Sequence, residues 1–269
     1  GRFFGGAMYA APEAELDDGL LDFVSDGLEA HGVKSWLLVD DSRPTTLKQR
    51  FCSKGMTLLR VSQLRQGAIS AQLQTRLLEH LEDAMEGVSV LVFSDFNYGC
   101  LPQGVVETAI SMAQARGIMM AADSQSSSQV GDISRFEHMD LLTPTEREAR
   151  ISTRNQEDGL VVLADVLQQQ SAARNILLKL GEEGLIIHPG DANSTGWVTD
   201  RIDSLNSAPK DVCGAGDSLL IASALALGSG GNIWEAACLG SLAAAIVKKH
   251  IPNVEQKAGG DFVSVWKDL

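Results

Sequence analysis

Short apolar runs alternate with longer amphipathic stretches over most of this chain, and that alternation limits the folds open to it. The runs have the length of β-strands, and the stretches between them have helical periodicity. Chains with this pattern form βα units whose strands assemble in a largely parallel sheet. We therefore predict an α/β protein, with strands at 35–39, 88–93, 118–122, 141–142, 176–180 and 185–188, and helices at 16–31, 70–85, 102–116, 145–150, 159–170, 215–227 and 233–249.

The composition is that of an ordinary globular protein and excludes several classes of function. The chain has 269 residues, of which 44% are hydrophobic and 21% charged, so it can bury a substantial core. Its 35 acidic and 22 basic residues give a net charge of −13, which repels nucleic-acid phosphates. No apolar run approaches the ~20 residues that cross a bilayer, and the first residues lack the apolar core of a signal peptide. We expect a cytoplasmic protein without nucleic-acid or membrane partners.

A glycine-rich segment directly before the apolar helix at 215–227 is the strongest indication of chemistry. Gly214, Ala215 and Gly216 lead into that helix, and Asp217 follows them. Exposed N–H groups at a helix N-terminus, together with the helix dipole, can hold a phosphate group. A carboxylate at Asp217 could then take the proton of an attacking hydroxyl, which points to phosphoryl transfer. The alternative is a simple turn in which the aspartate caps the helix.

Three segments of the chain resemble the ribokinase/PfkB family of sugar kinases. Residues 211–217 match the family signature Asp-Thr/Val-Thr-Gly-Ala-Gly-Asp, except at Cys213. Residues 142–149 are similar to the family's Thr-Pro-Asn-x-x-Glu segment, and 178–184 to its Thr-x-Gly-x-x-Gly segment. The resemblance extends from about residue 40 to residue 247. It implies a ribokinase-like fold, in which helices flank both faces of a central, mostly parallel sheet.

Within that family, two further segments resemble the heptose 7-phosphate kinase domain of ADP-heptose synthesis proteins. Residues 41–50 are similar to the pattern Arg/His-Pro-Thr-x-x-Lys-x-Arg, and residues 92–99 to Ser-Asp-Tyr-x-Lys-Gly. Two cations expected in such a domain are absent, because Tyr98 and Gln125 stand where lysines are usual. The resemblance thus implies an anionic sugar substrate but leaves its identity open.

The resemblance implies ATP and Mg²⁺ as cofactors and assigns roles to individual residues. Asp217 would be the base, Gly214, Ala215 and Gly216 the anion hole, and Glu148 a metal ligand acting through water. The nucleotide would be bound by Thr145, Lys179, Gly181, Gly184 and Ser241, and the sugar by Asp95, Asp123, Arg43, Lys48 and Arg50. Most of these side chains also have ordinary interpretations, as turn residues, caps or solvated surface charges.

The N-terminal part of the chain departs from the family pattern. Gly5 and Gly6 are not followed by the asparagine of the family's Gly-Gly-x-x-x-Asn motif, so we treat 1–34 as a truncated or atypical segment and 35–269 as the kinase domain. Two functions stay open. One is ATP-dependent phosphorylation of a sugar or sugar phosphate. The other is a nucleotide-binding or regulatory domain without catalysis, within a larger bifunctional sugar-nucleotide synthesis protein. The resemblance also implies a homodimer.

Overall fold

The structure, a computed structural model, describes residues 8–9, 18–43, 47–53, 56–63, 67–126, 130–190, 199–205 and 214–250. Its strands are β1 (Met8–Tyr9), β2 (Leu38–Val39), β3 (Leu47–Ser53), β4 (Met56–Gln63), β5 (Val90–Asp95), β6 (Met119–Ser124), β7 (Leu141–Leu142), β8 (Asn175–Lys179), β9 (Leu185–Pro189) and β10 (Asp200–Ile202). Its α-helices are α1 (Asp18–Ala30), α2 (Ala71–Ala84), α3 (Gln103–Ala115), α4 (Glu146–Thr153), α5 (Leu160–Ser171), α6 (Ala215–Gly228) and α7 (Ile233–His250).

A six-stranded sheet forms the centre of the described fold, with the strand order β10-β9-β8-β7-β6-β5. The pairings from β5 to β8 are parallel, whereas β9 and β10 are each antiparallel to their neighbour. Helix α2 precedes β5, and helix α3 connects β5 to β6, because parallel neighbouring strands need a crossover connection. The prediction of a mostly parallel sheet is confirmed.

Apolar residues on the two faces of this sheet build two separate cores. Alternate side chains of one strand point to opposite faces, so Leu178 belongs to one core and Leu177 to the other. The first core is covered by α2, α3, α4 and α5, and the second by α6 and α7. Both faces are thus covered by helices, as the family resemblance implied. Within the described part of the chain, no helix is both long and apolar enough to cross a membrane.

The remaining strands form two small pairs outside the central sheet. Strand β1 lies parallel to β2, with Met8 opposite Leu38, and β3 pairs with β4 as an antiparallel hairpin. The strand predicted at 35–39 is therefore shorter than expected, since only its last two residues belong to β2. Strands β1, β4 and β10 were not predicted from the sequence. The division of the chain at residue 35 stays a prediction.

Candidate active site

The carboxyl ends of the parallel strands bring several of the expected residues to one edge of the sheet. Asp95 ends β5, Asp123 is the penultimate residue of β6, Thr143 follows β7 and Lys179 ends β8. In open parallel sheets, ligands bind at this edge. The strand predicted at 118–122 continues to Ser124 in β6, so this carboxylate is held on the sheet itself.

Helix α6 begins beside this edge with an open N-terminus. Gly214 occupies the N-cap position with φ +75°, a left-handed conformation that glycine adopts without strain. Among the described residues, no side chain caps this end of the helix, in contrast to α2 and α4. The N–H groups of its first turn are therefore available to a ligand. Asp217 lies in that first turn and is partly exposed.

An ion pair between Lys179 and Asp123 spans this edge and reaches α6. The Nζ atom of Lys179 lies 2.8 Å from Oδ2 of Asp123, and the two side chains are only 15% and 3% exposed. A methyl group placed on Gly216 would lie 3.4 Å from the same Nζ, so the ammonium group faces the start of α6. The lysine expected to meet a nucleotide thus lies next to the expected anion hole.

The electrostatics of Asp123 indicate which other charges are close. Burial raises the pKa of Asp123 above its ordinary value, the Lys179 ammonium opposes that rise, and the carboxylates of Glu148 and Asp217 add to it. Three carboxylates and one ammonium group therefore share this region. The Oδ1 atom of Asp123 is buried without a hydrogen-bond partner among the described residues, as is Oγ1 of Thr143.

Glu148 and Thr145 form a capping box at the start of α4. The Thr145 hydroxyl accepts a hydrogen bond from the Glu148 N–H, and Oε2 of Glu148 accepts one from the Thr145 N–H at 2.7 Å. Oε1 of Glu148 also accepts a bond from the N–H of Ser126. Both carboxylate oxygens are thus fixed by backbone groups, and each keeps a lone pair for a further contact.

The same carboxylate was expected to hold Mg²⁺ through water. Among the described residues, no cluster of three or more histidine, cysteine, aspartate or glutamate side chains could hold a metal ion directly. Mg²⁺ usually keeps several waters and binds through one or two carboxylates together with substrate phosphates. A single fixed carboxylate such as Glu148 fits that mode of binding.

Asp95 has a structural environment that differs from the expected sugar site. Its Oδ2 atom forms an ion pair with Arg135 at 2.6 Å and accepts a hydrogen bond from the Ser124 hydroxyl. Its Oδ1 atom accepts a hydrogen bond from the backbone N–H of Asn97. The side chain is buried, and both of its oxygens are engaged. Its contacts therefore join the ends of β5 and β6 to the segment around Arg135, and a direct contact with sugar stays a prediction.

Arg43 was expected to bind the sugar together with Lys48 and Arg50, and this stays a prediction. Arg43 precedes β3, and its guanidinium pairs with Asp40 at 2.8 Å and donates to the Tyr98 carbonyl. Burial alone would raise the pKa of Asp40, but hydrogen bonds from Ser42 and the charge of Arg43 lower it overall. Lys48 and Arg50 lie on β3, and their side chains are outside the described part of the structure.

The two glycines expected near the nucleotide have clear turn functions. Gly181 (φ +65°) and Gly184 (φ +92°) bound the short 3₁₀ turn between β8 and β9. A methyl group on Gly184 would lie 2.0 Å from the Ile202 carbonyl oxygen, so the close approach here is that of β10. Ser241 is half-buried on α7. Nucleotide contacts for these residues stay predictions, and Cys213 lies outside the described residues.

Two features of this site were missed from the sequence. The spacing Thr145-Glu146-Arg147-Glu148 is a capping-box signal, and it would have predicted the fixed carboxylate of Glu148. Arg135 carries no local signal, because its partner Asp95 is 40 residues away in sequence. Only the packing of the segment after β6 brings the two charges together.

Known proteins of similar sequence extend over most of this chain. Two relatives named "Bifunctional protein HldE" are similar, one from Helicobacter hepaticus (29% identity over 229 residues, 84% of this chain) and one from Shewanella amazonensis (30% over 233 residues, 86% of this chain). The matches cover 45% and 46% of those proteins, so the chain spans about half the length of the curated relatives it matches.

Solved structures with the same fold include two that are named as a phosphofructokinase and a ribokinase. Phosphofructokinase-2 from Escherichia coli, in its tetrameric inhibited form, superposes with a TM-score of 0.70 at 17% identity, covering 93% of this chain and 78% of that one. Ribokinase from Giardia lamblia also gives a TM-score of 0.70, at 16% identity, covering 91% and 76%. These likenesses confirm the ribokinase-like fold. The family model described as "pfkB family carbohydrate kinase" matches residues 17–252, and this chain therefore belongs to the pfkB family of carbohydrate kinases.

Proposed function

We propose that this kinase transfers the γ-phosphoryl group of ATP to a hydroxyl of a sugar or sugar phosphate of the heptose 7-phosphate kind. The observation that carries the proposal is the uncapped N-terminus of α6. There the N–H groups of the first turn, the carboxylate of Asp217 and the ammonium of Lys179 lie at the carboxyl edge of the parallel strands. Such an arrangement can hold a phosphoryl group and accept a proton beside it.

The proposed reaction assigns a separate task to each group. The acceptor hydroxyl attacks the γ-phosphorus, its proton passes to the carboxylate of Asp217, and ADP leaves with the electron pair of the broken bond. The backbone N–H groups of Gly214, Ala215 and Gly216 stabilise the charge on the phosphoryl oxygens. When bound, Mg²⁺ would neutralise charge on the ATP phosphates, and Glu148 would hold it through water.

Three groups of residues would contact the substrates. Oδ1 of Asp123 is a buried acceptor without a partner in the described part, and a sugar hydroxyl could donate to it. Lys48 and Arg50, both on β3, would meet the phosphate of an anionic acceptor, as the family resemblance implies. Thr145, Gly181, Gly184 and Ser241 would line the nucleotide site, as the family resemblance implies.

The similarity to relatives of about twice the matched length supports a place within a larger protein. We propose that the chain supplies the kinase part of a bifunctional sugar-nucleotide synthesis protein. We also propose that it forms a homodimer, as the family resemblance implies. Because Tyr98 and Gln125 stand where lysines are usual, the contacts with the acceptor phosphate would differ from those of a heptose 7-phosphate kinase.

The test is acceptor-dependent ADP release by the full-length protein with Mg-ATP, measured over a panel of sugars and sugar phosphates that includes heptose 7-phosphate. Removing the base with Asp217→Asn should lower kcat by a factor of about 100 to 10,000. ATP binding, measured by calorimetry, should be unchanged. Near-normal turnover of Asp217→Asn would refute the role of this residue.

A matched variant controls for the loss of an aspartate as such. Asp83 is an exposed residue of α2, far along the chain from the site, so Asp83→Asn removes the same charge from the surface. This variant should keep full turnover. Tight ATP binding without transfer to any acceptor in the unaltered protein would support the nucleotide-binding alternative and contradict the proposed kinase activity.

A further inference from the structure

Both the backbone and the side chain of Lys179 are held by contacts with other parts of the fold. Its N–H donates to the Pro144 carbonyl at 2.8 Å, and its backbone pairs with Thr145. From the end of β8 the side chain passes over β7 to reach Asp123 on β6, two strands away. Its position is therefore fixed at both ends, by backbone pairing at one and by an ion pair at the other.

The ammonium group retains donors that the ion pair does not use. An ammonium carries three N–H donors, and one of them reaches Oδ2 of Asp123 at 2.8 Å. The described residues provide no partner for the other two. The closest part of α6 is Gly216, where an added methyl group would lie 3.4 Å from Nζ. A ligand held by the N–H groups of α6 would therefore meet these donors.

The balance of charge supports a ligand that is an anion. The carboxylates of Glu148 and Asp217 are close enough to raise the pKa of Asp123, and Lys179 is the cation that opposes that rise. Two arginines near the strand ends, Arg43 and Arg135, are each paired with another aspartate. Without Lys179, an incoming phosphate would meet several negative charges and, in the described part, only backbone N–H groups in return.

Stability alone is a weak reason for a buried ion pair at this position. Because two charges must leave water, replacing such a pair with apolar residues is often neutral or stabilising. An arrangement that fixes a cation beside an open helix N-terminus has a more direct use in binding a phosphoryl group.

We propose that Lys179 is a catalytic residue that contacts the transferring phosphoryl group, and that Asp123 is a positioning residue that holds its ammonium in place. This inference rests on the proposed kinase function. During transfer, the bond between the γ-phosphorus and the ADP oxygen breaks and a bond to the acceptor oxygen forms. The acceptor proton goes to Asp217, and Lys179 stays protonated throughout, donating hydrogen bonds to the phosphoryl oxygens.

The first test uses binding, so that it does not depend on turnover. Lys179→Met should weaken the affinity for AMP-PNP about tenfold, because a charge-assisted hydrogen bond to the γ-phosphate is lost. Affinity for ADP, which lacks that phosphate, should stay within about twofold. Equal weakening of both nucleotides, or of neither, would overturn the role of Lys179. Failure of the unaltered protein to bind AMP-PNP would overturn the kinase function as well.

The second test separates catalysis from folding. Lys179→Met leaves Asp123 buried without its partner, so the protein should melt at a lower temperature. The double variant Lys179→Met with Asp123→Asn removes both charges and should recover the melting temperature. Its kcat should stay lower than that of the unaltered protein by about 100-fold. If kcat recovers with stability, Lys179 serves only to neutralise Asp123 and the proposal is wrong.

The positioning role of Asp123 has its own readout. Asp123→Asn alone keeps the shape of the side chain and the charge of Lys179 but loosens the ammonium. It should lower kcat about tenfold with little change in KM for ATP, whereas Lys34→Met, at an exposed lysine, should change neither. An increase in KM for ATP without a change in kcat would show that Asp123 acts on nucleotide binding instead, and would overturn the positioning role.

Discussion

The closest contact between α6 and α7 leads to a quantitative prediction. Gly240 on α7 faces Ser223 on α6, and a methyl group added to Gly240 would lie 2.2 Å from the Ser223 hydroxyl oxygen and 3.0 Å from the Leu219 carbonyl oxygen. The Ser223 side chain cannot rotate away without loss, because its hydroxyl donates a hydrogen bond to the Ala236 carbonyl at 2.9 Å. Gly240→Ala should therefore force the two helices apart.

The expected loss of stability combines three effects. Overpacking of a well-packed contact costs about 1–3 kcal/mol, and displacement of the Ser223 hydroxyl costs about 1 kcal/mol in hydrogen bonding. Alanine is better than glycine inside a helix and returns about 1 kcal/mol. Gly240→Ala should thus lower the free energy of unfolding by about 1–3 kcal/mol.

Urea denaturation followed by circular dichroism measures this change, and Gly104 provides the matched control. Gly104 lies in α3, and nothing lies within 4 Å of the position that a methyl group on it would occupy. Gly104→Ala should therefore leave the free energy of unfolding unchanged or raise it by up to about 1 kcal/mol. Adding Ser223→Ala to Gly240→Ala should recover part of the loss. Equal stability of Gly240→Ala and Gly104→Ala would refute the close approach of the two helices.

Three further predictions concern other sites. Gly184→Ala should lower the free energy of unfolding by about 3 kcal/mol in urea titrations, because φ is +92° and the methyl group would meet the backbone of β10 at 2.0 Å. Burial, with nearby carboxylates, raises the pKa of Cys100 to about 11. When the folded protein is alkylated at pH 8 and the modified cysteines are identified by mass spectrometry, exposed Cys238 should therefore react well before Cys100. Burial also lowers the pKa of His188 from 6.5, and Asp165 opposes this only in part. The unfolded chain then binds the proton more readily, so stability should fall as the pH drops through about 6.5, with a smaller slope in His188→Gln.

The central strands could be predicted because their burial is continuous along the sequence. β6 and β8 are covered by helices on both faces, so their residues form apolar runs that differ from the polar segments around them. The edge strand β10 has the opposite character, since Asp200 and Arg201 are exposed and only Ile202 packs against the core. Strand length and polarity explain why no pattern in the sequence indicated it.

In the candidate site, too, features formed by neighbouring residues could be predicted from the sequence, whereas contacts between distant residues could not. The glycine-rich start of α6 and the capping box of α4 are each contained in a few consecutive residues, so the sequence carries the whole feature. The Lys179–Asp123 pair joins residues 56 positions apart, and it depends on β6 and β8 lying on either side of β7. Both residues could be assigned to strand ends, but their contact depends on a strand order that the sequence pattern does not contain.

Close contacts at three glycines define the position of α6 relative to the sheet. At one end Gly216 lies beside the Lys179 ammonium, and at the other end a methyl group on Gly228 would lie 2.3 Å from Val90 on β5. Between them Gly240 lets α7 approach Ser223. Gly216 and Gly228 are about 18 Å apart along the helix axis. Because a helix moves as a rigid rod over this length, a displacement at the Gly228 end would also shift the N–H groups at the other end. The close contacts along α6 therefore serve the proposed phosphoryl site as much as the core.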